Sequence, residues 1–254
     1  MDDTYPQWNL KEFYDSYKSK KIATDIEKIR SSTINFNKKY KNKLKNVSEK
    51  KIIQSIKEFE IIEEKIGKIK SYIYLIYCTN QLNTEIVAFY QKINEQLTSI
   101  DSNLLFFCLE LNSLSEKKIN LLKGNKLFVW LKNLRKFKDY QKKEEIEKIL
   151  LDKNLTSSNS WIRLFDQTMA GIKFSFKNKN LNESEILNLL SSSNSSTRKL
   201  AAKSFSSGLK SNINIFSIIT NTLSKDLDID KEIRGFKHSE SFRHLNNQVE
   251  KKDV

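Results

Sequence analysis

The sequence contains few of the residues that form turns, disulfides and membrane spans. One proline and five glycines occur among 254 residues, whereas an all-β sandwich or barrel needs a turn residue about every dozen positions. Two cysteines are too few for a disulfide framework. The uncharged apolar stretches at 72–78 and 104–109 are far shorter than the roughly 20 residues of a membrane span. With no apolar signal core at the start, we expect a mainly α, cytoplasmic protein that does not enter a membrane.

Lysine dominates the charge of this chain. There are 45 Lys and Arg residues against 31 Asp and Glu residues, a formal net charge of +14, and only six of the basic residues are Arg. Arg supplies the bidentate fork that base and phosphate recognition favours, and the lysines here are interleaved with acidic residues. We therefore interpret the charge as a solvated surface and expect no nucleic-acid partner. The alternative is a basic helical adaptor without catalysis, which binds acidic partners or nucleic acid with an affinity that falls steeply with salt.

Apolar residues recur at helical spacing through the first half of the chain. The first stripe predicts a helix over 22–44, and the second predicts one over 52–76 with Ser48 as its N-cap. A third stripe predicts one uninterrupted helix that reaches residue 111, with Thr84 as its cap. Because short connections favour antiparallel neighbours, residues 20–112 are predicted to form an up-down bundle.

Shorter helices and one hairpin are predicted in the second half. Ser115 has the position of an N-cap, and Gly124 that of a left-handed residue after a helix. Apolar spacing predicts further helices around residues 127–137, 144–151, 161–165, 200–209 and 215–227. Apolar and polar residues alternate over 172–176, and turn residues follow at 178–180, which predicts a short β-hairpin near 172–181. Asn182 and Glu185 have the spacing of a capping box.

No pattern in the sequence assembles a reaction centre. A zinc hydrolase commonly gathers its ligands through H-E-x-x-H on one helix. The two histidines, His238 and His244, are six residues apart and would lie about 120° apart around a helix. We therefore assign no catalytic, cofactor-binding or metal-binding residue, and we interpret both histidines as hydrogen-bonding or packing residues.

The other chemically notable residues also receive structural interpretations. Cys78 and Cys108 lie in apolar stretches and are predicted to pack in the core. The acidic run at 144–147 is interpreted as a solvated helix face beside lysines. The three tryptophans are predicted to anchor the core, at Trp8, Trp130 and Trp161.

Several short patterns follow one another along nearly the whole chain. They are W-N-L-K-E-F-Y at 8–14, L-R-K-F with Y-Q and E-E-I-E-K-I-L over 134–150, W-I-R-L-F-D at 161–166, R-K-L-A at 198–201, N-T-L-S-K-D at 221–226, R-G-F at 234–236 and R-H-L-N-N at 243–247. In this order and spacing the sequence resembles the amino-terminal part of the oligoendopeptidase F family, which belongs to the thimet-oligopeptidase-like zinc metallopeptidases. Arg234, Arg243 and His244 match one of the family's segments, and we interpret all three as structural.

The resemblance implies a domain organisation and a function. Residues 1–192 would be the amino-terminal helical domain, and residues 193–254 the beginning of the peptidase catalytic domain, with the boundary inside the Ser-rich stretch at 191–196. In the complete family, zinc held by an H-E-x-x-H helix activates water for the hydrolysis of short peptides. That helix would lie beyond Val254, so we expect the non-catalytic portion of a zinc metalloendopeptidase, which binds no zinc and cleaves no peptide alone. Apolar surface meant for a missing region would favour self-association.

Overall fold

The computed structural model describes residues 8–253 and shows a mainly α protein with one two-stranded sheet. This confirms the predicted fold class. The helices are α1 (Lys20–Tyr40), α2 (Glu49–Thr79), α3 (Thr84–Asp101), α4 (Leu105–Ser113), α5 (Glu116–Asn120), α6 (Phe128–Arg135), α7 (Glu144–Asn154), α8 (Ser158–Gly171), α9 (Glu183–Leu189), α10 (Ser195–Lys210), α11 (Ile213–Arg234) and α12 (Ser241–Asn246). The strands are β1 (Phe174–Phe176) and β2 (Lys179–Leu181). The opening Met-Asp-Asp lies outside the described residues.

The described residues form two compact units. The bundle unit comprises 8–80, 85–152 and 234–253, and the hairpin unit comprises 81–84 and 153–233. Helices α9 and α10, which flank the proposed domain boundary after residue 192, pack together within the hairpin unit. The division into 1–192 and 193–254 was drawn from the family resemblance and stays a prediction.

The apolar stripes of α1 and α2 form the core of the bundle unit. Six residues of the α1 stripe are buried: Ile22, Ile26, Ile29, Thr33, Phe36 and Tyr40. Six isoleucines of α2 are buried against them: Ile52, Ile56, Ile62, Ile66, Ile69 and Ile73. Isoleucine is a mediocre helix former, so these helices depend on burial, which contributes roughly 1.5–3 kcal/mol for each large side chain.

Side-chain contacts establish the up-down order of the first three helices. Lys39 near the end of α1 pairs with Glu58 in the first half of α2, at 2.7 Å between Nζ and Oε1. The ring of Tyr77 near the end of α2 stacks on Tyr90 in the first half of α3, with centroids 4.4 Å apart. Further along α3, Asp101 accepts a hydrogen bond from Lys70. Each helix therefore runs antiparallel to the one before it, as predicted.

The predicted third helix is interrupted, so the expectation of one uninterrupted helix to residue 111 is wrong. A turn at 102–104 separates α3 from α4. The Asn37 side chain donates a hydrogen bond to the carbonyl of Asn103 at 3.0 Å, and the Asn103 side chain donates to the carbonyl of Ser99 at 3.2 Å. These amides satisfy backbone groups that the turn releases. Leu104 in the turn stays buried, so the apolar stripe continues across the break.

Some of the predicted helix-capping residues lie at the expected positions, but not all of them make a capping hydrogen bond. Ser115 caps α5, and its Oγ accepts from the Lys118 N–H at 3.3 Å. Ser48 occupies the N-cap position of α2, but its side chain makes no capping hydrogen bond. Thr84 is the first residue of α3 rather than its cap. Gly124 has the expected left-handed backbone, with φ of 90°, although α5 ends earlier than predicted.

The hairpin unit has a small core of its own. β1 and β2 pair antiparallel, with Phe176 opposite Lys179, so the turn falls at 177–178 rather than at the predicted 178–180. Phe174 is buried together with Ile186 of α9 and other apolar residues. The capping box before α9 is formed in both directions: Asn182 accepts from the Glu185 N–H at 2.9 Å, and Glu185 accepts from the Asn182 N–H at 2.7 Å.

No helix within residues 8–253 is both long enough and apolar enough to cross a bilayer. The longest, α2, carries lysines and glutamates along its exposed side.

Candidate functional site

The two cysteines occupy different environments. Cys78 lies in the last turn of α2 and is exposed, so its predicted core packing is wrong. It follows the buried Tyr77 in sequence and therefore faces a different side of the helix. Cys108 of α4 is partly buried, and burial raises the pKa of its thiol to about 12. A thiol with so high a pKa stays protonated at neutral pH and is a poor nucleophile.

The tryptophans agree with their predicted role only in part. Trp130 of α6 packs partly buried against the core of the bundle unit, and Trp161 of α8 is partly buried. Trp8 is 89% exposed, so its predicted role as a core anchor is wrong. It precedes the short 3-10 turn Leu10–Glu12.

The histidines do not converge on a metal. His238 lies in the loop before α12, where its backbone N–H donates to Ser241 Oγ at 3.3 Å, and His244 lies in α12 itself. Among residues 8–253, no group of three or more His, Cys, Asp or Glu side chains could hold a metal ion. The described residues therefore do not fit the zinc site of the family. That this chain binds no zinc remains a prediction.

One ion pair joins the end of α11 to α7 inside the bundle unit. Arg234 donates to both carboxylate oxygens of Glu147, at 2.9 and 3.0 Å. Glu147 Oε1 also accepts from the Lys142 backbone N–H at 2.7 Å. The Glu147 side chain is 12% exposed, so the interpretation of 144–147 as a solvated helix face is wrong at this residue. Since 87 residues separate the partners, no local sequence pattern could have revealed the pair.

The two residues after Arg234 turn the chain back onto the bundle unit. Gly235 has φ of 78°, a left-handed conformation that glycine adopts without strain. Phe236 is buried and stacks on Tyr140, with ring centroids 4.1 Å apart. Phe242 contacts Phe236 edge-on at 6.0 Å. In the R-G-F pattern the arginine therefore forms an ion pair, the glycine a turn and the phenylalanine a packing anchor.

A cleft of about 380 Å³ opens beside this aromatic cluster. Lys136 and Tyr140 form one side, and α12 with the residues after it forms the other. His244 lines this cleft, whereas Arg243 is exposed. No hydrogen bond among the described residues links His244 to the Ser241 hydroxyl, so the cleft contains no assembled nucleophile and base.

Arg135 organises the segment around α4 and α6, and reasoning from the sequence assigned it no role. Its guanidinium donates to the carbonyls of Leu111, Asn112 and Leu114 at 3.0–3.4 Å, and it pairs with Glu116. These carbonyls belong to the end of α4 and the residue after it, where helical partners are missing. An arginine within the L-R-K-F pattern was the only signal available.

By its fold, this is a mainly α protein with one β-hairpin. Its described residues hold no metal-binding group. Residues 110–174 match a family model described as oligopeptidase F. The fold is similar to the crystal structure of oligoendopeptidase-F from Enterococcus faecium, with a TM-score of 0.75 and 18% identity over 96% of this chain and 48% of that one. A second similar structure is a "putative peptidase" from Chlamydophila abortus, with a TM-score of 0.52 and 14% identity over 96% of this chain and 42% of that one. No curated protein matches significantly.

These comparisons confirm the resemblance predicted from the sequence, and they are consistent with an amino-terminal part of the family. The matched residues 110–174 include the contacts of Arg135, the residue Glu147 and the W-I-R-L-F-D pattern. The chain spans about half the length of the oligoendopeptidase-F structure that it resembles.

Proposed function

We propose that this chain is the amino-terminal, non-catalytic portion of an oligoendopeptidase F-like zinc metalloendopeptidase, whose complete form hydrolyses short peptides. The observation that carries the proposal is the fold match to oligoendopeptidase-F over 96% of this chain, which accounts for 48% of the other. The family-model match at 110–174 adds an independent line of support. Because no group among the described residues fits a metal, the zinc ligands of the complete form would come from polypeptide outside this sequence.

Residues 234–236, near the carboxy terminus, hold the chain on the bundle unit. The Arg234–Glu147 ion pair and the Phe236–Tyr140 stack fix residues 234–236 on the bundle unit. The chain therefore approaches α12 from a fixed position on the bundle unit. We assign Arg234 a structural role on this basis.

The decisive test is to read the gene for several hundred bases downstream of the codon for Val254 in all three frames. We expect a stretch that encodes H-E-x-x-H, the pattern that supplies two zinc ligands and a general base. The complete protein should then bind one zinc ion per chain and cleave short unstructured peptides, and a chelator should abolish the cleavage. Absence of any such stretch would refute the proposal.

The proposed partners follow from the same assignment. We propose that short peptides are substrates only of the complete form, that the protein is cytoplasmic, and that it uses neither a membrane nor a nucleic acid. A basic adaptor would instead bind DNA or RNA with an affinity that falls steeply as salt rises. Filter binding with single- and double-stranded oligonucleotides at two salt concentrations separates these cases, and we expect negligible binding at physiological salt.

Self-association of this chain is part of the proposal. One side of α11 carries four isoleucines at helical spacing that are 37–56% exposed: Ile215, Ile218, Ile229 and Ile233. Several apolar side chains on one helix face favour contact with another apolar surface. Sedimentation velocity over a hundred-fold concentration range should show mass that rises with concentration. The double variant Ile218→Lys/Ile229→Lys should sediment as a monomer throughout.

A further inference from the structure

A groove of about 550 Å³ lies between the β-hairpin and α10 inside the hairpin unit. Its helix wall consists of residues on one face of α10, mostly serines and a glycine. Gly208 allows the helix to approach the hairpin, since a Cβ there would lie 2.6 Å from Cε1 of the buried Phe174. The groove is thus bounded by two elements in tight contact, so its shape is fixed by packing.

The groove is positively charged and contains no neutralising acid. Lys173 and Lys177 line the hairpin side and Lys203 lines the helix side, and no Asp or Glu is among the lining residues. In the described part of the chain, none of these three lysines forms an ion pair. Three unpaired like charges around one concavity raise the local positive potential and attract an anionic ligand.

The outer edge of β1 adds backbone groups to the groove. Phe176 and Lys179 close the two-residue hairpin, so the N–H and C=O of Ser175 point away from β2. Ser204 Oγ donates to the Ser175 carbonyl at 2.5 Å, which places this edge against α10. Among residues 8–253, neither the Ser175 N–H nor the exposed Ser207 hydroxyl has a hydrogen-bond partner, so both can meet a ligand. An extended peptide presents the carbonyls that such donors bind.

We propose that this groove binds short acidic peptides, with their carboxylates between Lys173, Lys177 and Lys203. The inference rests on the proposed function for the assumption that the protein handles peptides, and it adds a charge preference and a location. A nucleic acid fits less well because single strands need a free aromatic face. The ammonium of Lys177 lies 5.6 Å from the centre of the Phe176 ring and covers the aromatic side chain of this groove.

The test measures binding of fluorescently labelled tetraglutamate to this chain by anisotropy, with amidated tetraglutamine as the neutral probe. We expect tetraglutamate to bind at least about ten-fold more tightly, with an affinity that falls as salt rises. Lys173→Gln/Lys203→Gln should weaken binding about ten-fold. Ser207→Trp, which fills the groove at an exposed position and changes no charge, should also reduce it.

The matched control is Lys179→Gln/Lys199→Gln, which removes one charge from the hairpin and one from α10 outside the groove lining. We expect this control to change the affinity by less than about two-fold. Equal weakening by both double variants would overturn the proposal, because the net charge of the chain would then explain the binding. Stronger binding of a tetrathymidylate oligonucleotide than of tetraglutamate would overturn the assignment to peptides.

The binding experiment is independent of catalysis and of zinc. If the complete protein is a zinc peptidase but tetraglutamate does not bind the groove, only the groove proposal fails. If the gene encodes no zinc site while the groove variants lose binding as expected, the proposed function fails and the anionic-peptide site remains.

Discussion

At the residue scale, the R-G-F segment shows how three adjacent residues attach one stretch of chain to the bundle unit. Arg234 makes two charge-assisted hydrogen bonds to a carboxylate that is 12% exposed. Such bonds are stronger than neutral ones, and loss of one partner leaves the other desolvated without compensation. The segment should therefore be sensitive to single substitutions.

We expect Arg234→Ala to lower the free energy of unfolding by about 2 kcal/mol, because Glu147 would lose both guanidinium bonds in a mostly buried position. Urea denaturation followed by circular dichroism measures the change. Lys237→Ala, at an exposed position three residues later, is the control and should stay within about 0.5 kcal/mol of the original. Equal effects of the two substitutions would contradict the role assigned to the pair.

Gly208 provides a second test at this scale, because its lack of a side chain permits close packing. In Gly208→Ala the new Cβ would lie 2.6 and 2.7 Å from the buried Phe174 ring and 3.1 Å from Ile172 Cγ2. We expect a loss of about 1–3 kcal/mol from overpacking. Gly67→Ala in α2 meets nothing within 4 Å and should instead stabilise by about 0.5–1 kcal/mol through helix propensity. Thermal melts of both variants show whether each substitution raises or lowers the melting temperature. A higher melting temperature for Gly208→Ala would contradict the close packing of α10 against Phe174.

The cysteines should differ sharply in reactivity. Cys78 is exposed, whereas the pKa of Cys108 is raised to about 12 by burial, so only about one Cys108 thiol in ten thousand is ionised at pH 8. We expect an aromatic disulfide reagent to titrate one thiol per native chain rapidly, and two after denaturation. Cys78→Ser should abolish the rapid phase, and a rapid phase that survives this substitution would contradict the burial of Cys108.

At the element scale, a serine at an N-cap position does not always make the capping hydrogen bond. Ser48 and Ser115 both occupy N-cap positions in extended backbone, but only Ser115 accepts a hydrogen bond from the helix that it precedes. The bond satisfies one of the free N–H groups of the first turn. The same residue type at the same position should therefore contribute differently to stability.

We expect Ser115→Ala to lower the free energy of unfolding by about 1 kcal/mol, because an N–H of α5 loses its partner. Ser48→Ala should change the stability by less than about 0.5 kcal/mol, since no capping bond is lost. Chemical denaturation of the two variants in parallel provides the measurement. A larger loss from Ser48→Ala would show that this serine does cap α2.

The elements that the sequence predicted are those determined by local patterns. The stripes of α1 and α2, the hairpin after Ile172 and the capping box at Asn182 all depend on residues within a few positions of one another. The break between α3 and α4 was missed because the Asn37 amide, 66 residues away from Asn103, bonds to the turn. The Arg234–Glu147 pair was missed for the same reason, since tertiary contacts create it.

At the scale of the whole molecule, the sequence contained a family resemblance that single residues could not supply. None of the short patterns is specific alone, and their order along the chain carried the resemblance that the family-model match at 110–174 and the fold comparison together confirmed. The candidate groove was not foreseen, because its lysines come from the hairpin and from α10, which only the fold brings together. The composition predicted a positively charged surface but not that three lysines would line one groove.

The measurement that tests the central claim most directly is zinc content and peptide cleavage of this chain, side by side with the longer protein that the proposed function implies. Elemental analysis after purification with zinc present, followed by hydrolysis of a quenched fluorescent peptide, gives both quantities. We expect much less than one zinc per chain and no cleavage from the 254 residues alone, and one zinc with chelator-sensitive cleavage from the complete form. Stoichiometric zinc or chelator-sensitive cleavage in this chain alone would contradict the account.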